Sequence, residues 1–274
     1  MKISVSNFAW SMQNNALVYE EMERTGIRGL EFAPSKLFGE NPFSEEKTRQ
    51  AVEYFNGIYQ IYGIRPVSVQ SIWSGCKEQL LGSGEERLRL REQTQRVIEY
   101  AASLACPVIM WGSGACRSRS DYTPKEQVEV AKEFFLPLAD YAGERGVTIA
   151  VEAVNAYYGS CFLTNSIDTL DFVWECHHDA LRFNFDTGIM QMEGEELKDF
   201  ENWQREQDVD DWLSLVIHIH VSAPKLAAVT KQEYQQQLAK LLWEQNYPGY
   251  ISLEMVDAGI PALYSSMEVM QQFL

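Results

Sequence analysis

The chain has 274 residues, 46% of them hydrophobic, and a formal net charge of −16. That length suits one large α/β barrel or two modest domains with a sizeable core, and the acidic balance disfavours nucleic acid, whose phosphates need a basic footprint. No apolar run approaches the ~18 residues of a membrane span, and five scattered cysteines without CxxC spacing favour reduced thiols in a cytoplasm over a disulfide framework or structural zinc.

Lys2–Ser6 reads as a first strand leading to Asn7 and Trp10, without the apolar core of a signal peptide. Ala16–Thr25 has helical spacing, with Gly26 as its C-cap. Gly29–Phe32 is the second strand, with Glu31 near its end. Ser44–Ile61 is a helix followed by Gly63, and Pro66–Gln70 is the third strand, with Ser68 and Gln70 on one face. Glu85–Leu104 is a long charged amphipathic helix, and Pro107–Trp111 is the fourth strand, opening into Gly112-Ser113-Gly114. Thr123-Pro124 caps and starts a helix that runs to about Ala142.

The fifth strand, Val147–Glu152, is followed by a loop holding Asn155, Tyr157, Tyr158 and Gly159, then a helix near Ser166–Cys176. The sixth strand is Leu181–Asp186, and an acidic segment from about Gly188 to Leu213 contains a helix. Val216–Val221 is the seventh strand. Lys231–Gln245 is a helix, Tyr250–Glu254 the eighth strand, and Leu263–Phe273 a closing helix. Eight strand–helix pairs with no composition break predict a closed (β/α)8 TIM barrel in one domain over residues 1–274. A doubly wound open sheet is the alternative. A barrel brings the polar strand ends to one mouth, which an open sheet does not.

Those ends carry the chemistry. Side chains alternate along a strand, so Val147, Ile149 and Val151 share an apolar face while Glu152 ends the opposite one. Asp186 stands in the same way to Leu181, Phe183 and Phe185, and Glu254 to Ile251 and Leu253. In the seventh strand Ile217, Ile219 and Val221 form the apolar face, leaving His218 and His220 on the other. Glu152, Asp186, His220 and Glu254 suit a divalent metal; Mn²⁺ fits three carboxylates and one imidazole best, with Mg²⁺, Co²⁺ or Zn²⁺ as substitutes. Glu31 and Gln70 point into the mouth by the same alternation. Trp10, Trp73 and Trp111 offer an apolar wall for a ligand's C–H face. Arg117 and Lys225, in catalytic-face loops, are candidates to clamp a phosphate or hydroxyl, and Tyr158 is a further candidate for substrate. Gly112-Ser113-Gly114 is too short for a dinucleotide or P-loop signature.

The strand endings VEAVN, NFDTG, HIHVS and SLEM resemble the xylose isomerase-like TIM-barrel superfamily, and within it the tagatose/psicose 3-epimerase and hydroxypyruvate isomerase type. Gly26–Glu31, Val69-Gln70-Ser71 and Trp111-Gly112-Ser113 followed by Arg117 add to the likeness, which covers nearly the whole chain. The resemblance implies metal ligation by Glu152, Asp186, His220 and Glu254, with Glu152 and Glu254 as the acid/base pair. It implies a sugar or sugar-phosphate isomerase or epimerase acting through an enediolate, and a homo-oligomer. Three departures stand out: Ile189 replaces a histidine, Tyr157 and Tyr158 occupy the place of a loop glutamate, and Ala223-Pro224 replaces a polar position. They imply a divergent substrate. A dehydratase of the inosose or dehydroshikimate type would use the same metal set, and a non-catalytic sugar-binding barrel would keep it. An apurinic endonuclease of the superfamily needs more histidines than the 4 present.

Overall fold

Eight short apolar strands, each followed by an amphipathic helix, close on one another in the computed structural model, which describes residues 1–73 and 75–273. The strands are β1 (Lys2–Ser6), β2 (Gly29–Phe32), β3 (Arg65–Val69), β4 (Val108–Trp111), β5 (Thr148–Glu152), β6 (Leu181–Asp186), β7 (Val216–Val221) and β8 (Tyr250–Leu253). All pairings are parallel in the order β1 to β8, and β8 returns to β1 through Lys2↔Tyr250 to Val5↔Leu253. The open-sheet alternative is thereby excluded.

The outer layer is built from α1 (Asn15–Thr25), α2 (Pro34–Phe38), α3 (Glu45–Tyr62), α4 (Gly84–Ser103) and α5 (Pro124–Gly143). It continues with α6 (Ser166–Cys176), α7 (Thr187–Glu193), α8 (Leu197–Glu206), α9 (Glu233–Glu244) and α10 (Ile260–Met270). Local sequence sets their ends. Ser83 with Glu86 and Thr123 with Glu126 form capping boxes at α4 and α5, which satisfy orphan amides of the first turn. Gly26 ends α1 at φ 79°, a left-handed conformation that glycine adopts without a Cβ penalty. Among the described residues, no helix is long and apolar enough to cross a membrane.

Two apolar layers result. The larger lies between strands and helices and includes Ile109, Val151, Phe183, Ile219 and Leu253. A small one, Val108, Met110 and Ala150 with Ile217, fills the barrel interior. Ile217 therefore departs from the strict alternation that grouped it with Ile219 and Val221. The pairing of β6 with β7 slips between Phe183↔Val216 and Asn184↔His218, and this bulge turns Ile217 inward. The short helix α2 and the division of the acidic segment into α7 and α8 add to the elements read from the sequence.

Candidate metal centre

Alternation along β5, β6 and β7 carries Glu152, Asp186 and His220 to the interior at the carboxyl ends of their strands, and Glu254 follows β8 directly. One ligand atom from each of these four residues lies within 4.8 Å of all the others. That spacing fits donors around one ion at bond lengths of roughly 2.0–2.6 Å.

His220 is the hub. Its Nδ1 lies 2.8 Å from Glu152 Oε1, 3.2 Å from Glu254 Oε2 and 3.7 Å from Asp186 Oδ2. Burial opposes charge on this imidazole, but Glu254, Glu31, Asp186 and Glu152 outweigh it and raise its pKa well above the usual value. Burial pushes the Glu254 carboxyl up to about 7, against the pull of His220, and also raises Glu152. Three carboxylates crowding one imidazole in a low-dielectric pocket leave negative charge that a divalent cation would neutralise. The donor set, its spacing and its charge all fit such an ion.

Neighbouring groups aim the ligands. Asp186 Oδ1 accepts the amides of Gly188 and Ile189, at 2.6 and 2.9 Å, and the Ser222 hydroxyl at 2.6 Å, so Oδ2 is left facing His220. Asn184 donates to Glu152 Oε1 at 2.8 Å. Two glycines of the quoted motifs make room: a Cβ on Gly112 would overlap Glu152 Oε2, and one on Gly188 would overlap the Ser222 hydroxyl. The metal site thus explains both WGSG and NFDTG.

A second layer lies behind the first. Glu31 is fully buried; its Oε2 accepts from Ser68 Oγ at 2.6 Å and lies 3.0 Å from His218 Nε2 and 3.1 Å from His220 Nε2. Burial alone would raise the Glu31 carboxyl, but the two imidazoles hold it far below the usual range. Glu31, expected at the mouth, is placed to orient His220 rather than to meet substrate. His218 belongs to the same layer. Arg182 lies at the opposite end of β6, where it pairs with Asp179 at 2.6 Å.

A cavity of about 280 Å³ opens above the cluster. Gln70, Tyr158, Glu152, Asp186 and Glu254 line it, and Ile189 lines it where the resembled family has a histidine. Other expected contacts lie elsewhere. Trp111 is buried against Trp73, Phe134 and Phe135, on the outer face of β4. Trp10 is buried too, and donates to Asn15 at 2.8 Å. Arg117 is buried beside the site, giving its guanidinium to the carbonyls of Glu152 at 3.0 Å and Ser113 at 3.3 Å; burial lowers its pKa to about 10. Lys225 is exposed at the rim, 4.7 Å from the Tyr157 ring centroid. Phe8, Met110, Ser222 and Leu226 complete the cavity wall unanticipated by the sequence reading. Met110 follows from alternation against Ile109 and Trp111, and Ser222 from alternation with His218 and His220. A larger open cleft of about 970 Å³ lies alongside, and Ser71 lines both spaces.

A family model described as a xylose isomerase-like TIM barrel matches residues 19–273. The chain belongs to the xylose isomerase-like TIM-barrel family. Solved structures share the fold of this family member across its full length. A 3-keto-D-glucoside 4-epimerase from E. coli superimposes with a TM-score of 0.73 at 17% identity, covering 99% of this chain and 98% of that one. A D-psicose 3-epimerase from Clostridium cellulolyticum H10, solved with D-tagatose, gives 0.71 at 17% identity, covering 97% and 89%. A family 2 AP endonuclease from Brucella melitensis gives 0.73 at 15% identity, covering 100% and 99%. At these identities the likeness shows the shared xylose isomerase-like fold. No curated protein matches the chain in sequence.

Proposed function

We propose that this protein is a divalent-metal-dependent sugar isomerase or epimerase that moves a proton beside a carbonyl. The convergence of Glu152, Asp186, His220 and Glu254 on the floor of a cavity of about 280 Å³ carries this reading. The epimerases among the structural neighbours support it.

A bound divalent ion, Mn²⁺ by the mixed oxygen and nitrogen donors, would supply Lewis-acid stabilisation of negative charge developing on the substrate's carbonyl and adjacent oxygens. Asp186 and His220 would hold that ion, their orientations fixed by Gly188, Ile189, Ser222 and Glu31. Glu152 and Glu254 stand on β5 and directly after β8, three strands apart around the barrel, so they approach a bound ring from different sides. One carboxylate takes the proton from the carbon beside the carbonyl, and the other returns a proton from its own side. Glu152 is braced by Asn184 and His220, whereas Glu254 has His220 as its side-chain neighbour. Phe8, Met110 and Ile189 form apolar parts of the wall beside the acid/base pair.

The free state of all five cysteines supports a cytoplasmic, reducing setting. A charge of −16 supports a small-molecule substrate over nucleic acid. The test is deuterium uptake from heavy water into ketohexoses by the Mn²⁺-loaded protein. The expected result is exchange at the carbon next to the carbonyl, abolished in Glu152→Gln and in Glu254→Gln. Exchange into no ketose, free or glycosylated, overturns the reading, and a water-loss product identifies a dehydratase instead.

A further inference from the structure

We propose that the substrate is an uncharged glycosylated sugar, with its reacting ring in the inner cavity and a second pyranose ring in the outer cleft. This rests on the isomerase or epimerase reading above.

The inner cavity, about 280 Å³, is at the small end for a ligand site and accommodates one monosaccharide ring over the metal ligands. The space does not end there. Ser71, at φ 54°, turns the chain sharply after β3 and lines both the cavity and the cleft of about 970 Å³. Lys36 ties the two together from the other side. It lines the cleft, and its ammonium reaches the carbonyls of Asn7 and Trp10 at 2.7 and 2.6 Å, on either side of the cavity residue Phe8. The cleft therefore adjoins the cavity at Ser71, just after β3, which lines both.

Its walls suit a pyranose. Asn41, Ser44 and Gln93 offer amide and hydroxyl groups to sugar hydroxyls, and the half-buried Phe43 ring offers an apolar surface to a C–H face. They suit a phosphate poorly. Lys36 gives its hydrogens to the carbonyls of Asn7, Phe8 and Trp10. Arg96 is shared with Glu92, and Glu40 lines the same cleft. Beside the inner cavity, the buried Arg117 gives hydrogen bonds to backbone carbonyls and does not line the space, and three carboxylates face the ligand.

The test compares D-fructose, D-fructose 6-phosphate, and 4-O- and 6-O-α-D-glucosyl-D-fructose on the Mn²⁺-loaded protein, by calorimetry and deuterium exchange. At least one glucosyl-fructose is expected to bind about tenfold tighter than fructose, a gain lost in Phe43→Ala and Gln93→Ala while fructose binding stays unchanged. The proposal is overturned if neither glucosyl-fructose binds more tightly, if fructose 6-phosphate gains as much, or if the gain survives both substitutions. Exchange into free fructose alongside any of these results leaves the isomerase or epimerase reading standing. Absence of exchange and binding with all four probes overturns both.

Discussion

Glu31 Oε2 lies 3.1 Å from His220 Nε2, while His220 Nδ1 faces the carboxylates of Glu152, Glu254 and Asp186. The imidazole is thus held between a buried acceptor and the metal-suited cluster, and with the Nε2 proton given to Glu31, Nδ1 would offer its lone pair to a bound ion in place of the proton it holds in the metal-free fold. Replacing Glu31 by Ala frees that ring. The expected result is metal affinity lower by about 10–100-fold, measured by calorimetry, with Glu31→Gln less affected because its amide oxygen still accepts. Unchanged affinity in Glu31→Ala would remove Glu31 from the site.

Gly112 packs against Glu152, and an alanine Cβ there would occupy the place of Oε2. Gly112→Ala should therefore displace the Glu152 carboxylate and weaken metal binding by at least about tenfold, the usual scale for disturbing a ligand's setting. Its circular dichroism spectrum should match that of the wild type. An alanine variant that binds metal normally would contradict the claim that Gly112 sets the position of the Glu152 carboxylate.

The Glu254 carboxyl titrates at about 7 in the metal-free fold, above its usual value of 4.5, because burial disfavours its charge. Below pH 4.5 it is protonated folded and unfolded, and contributes nothing to stability. Between pH 4.5 and 7 the unfolded chain ionises it first, and the fold loses on the order of 3 kcal/mol. Metal-free Glu254→Gln should then be more stable than the wild type at pH 8 and equal to it at pH 4, by urea denaturation. Protons also compete with the metal, so wild-type affinity should fall as pH drops below about 7. Equal stabilities at pH 8, or a flat affinity profile, would contradict this account of the burial.

Arg117 acts on the backbone. Its guanidinium joins the carbonyls of Ser113 and Glu152, linking the loop after β4 to the end of β5. Arg117→Ala leaves these acceptors unpaired and should cost about 2–4 kcal/mol of stability. A normal melting temperature combined with a large rise in KM would reinstate Arg117 as a substrate clamp.

The strand order, the closure and the four metal-suited residues were legible because alternation is local. Once a strand's apolar face is known, the opposite face and its last residue follow. The same rule places Trp111 with Ile109 on the outer face, so the aromatic wall expected there went against the strand's own pattern. Glu31 was correctly turned inward, but its depth depends on barrel stagger: it pairs with Ser6 and Ser68, and this register sets it behind His220. The bulge at Ile217 also lies beyond alternation, because it arises between strands. Arg117, Tyr158 and Lys225 sit in loops without periodicity, where long-range contacts alone decide which side chain reaches the cavity.

The most direct test of the centre is calorimetric titration of Mn²⁺ into chelator-stripped protein, alongside His220→Ala and Glu254→Ala. One tight site in the wild type, lost or much weakened in both variants, is the predicted result. A wild-type protein that binds no divalent ion, or variants that bind as well as the wild type, would contradict the assignment of Glu152, Asp186, His220 and Glu254 as a metal centre.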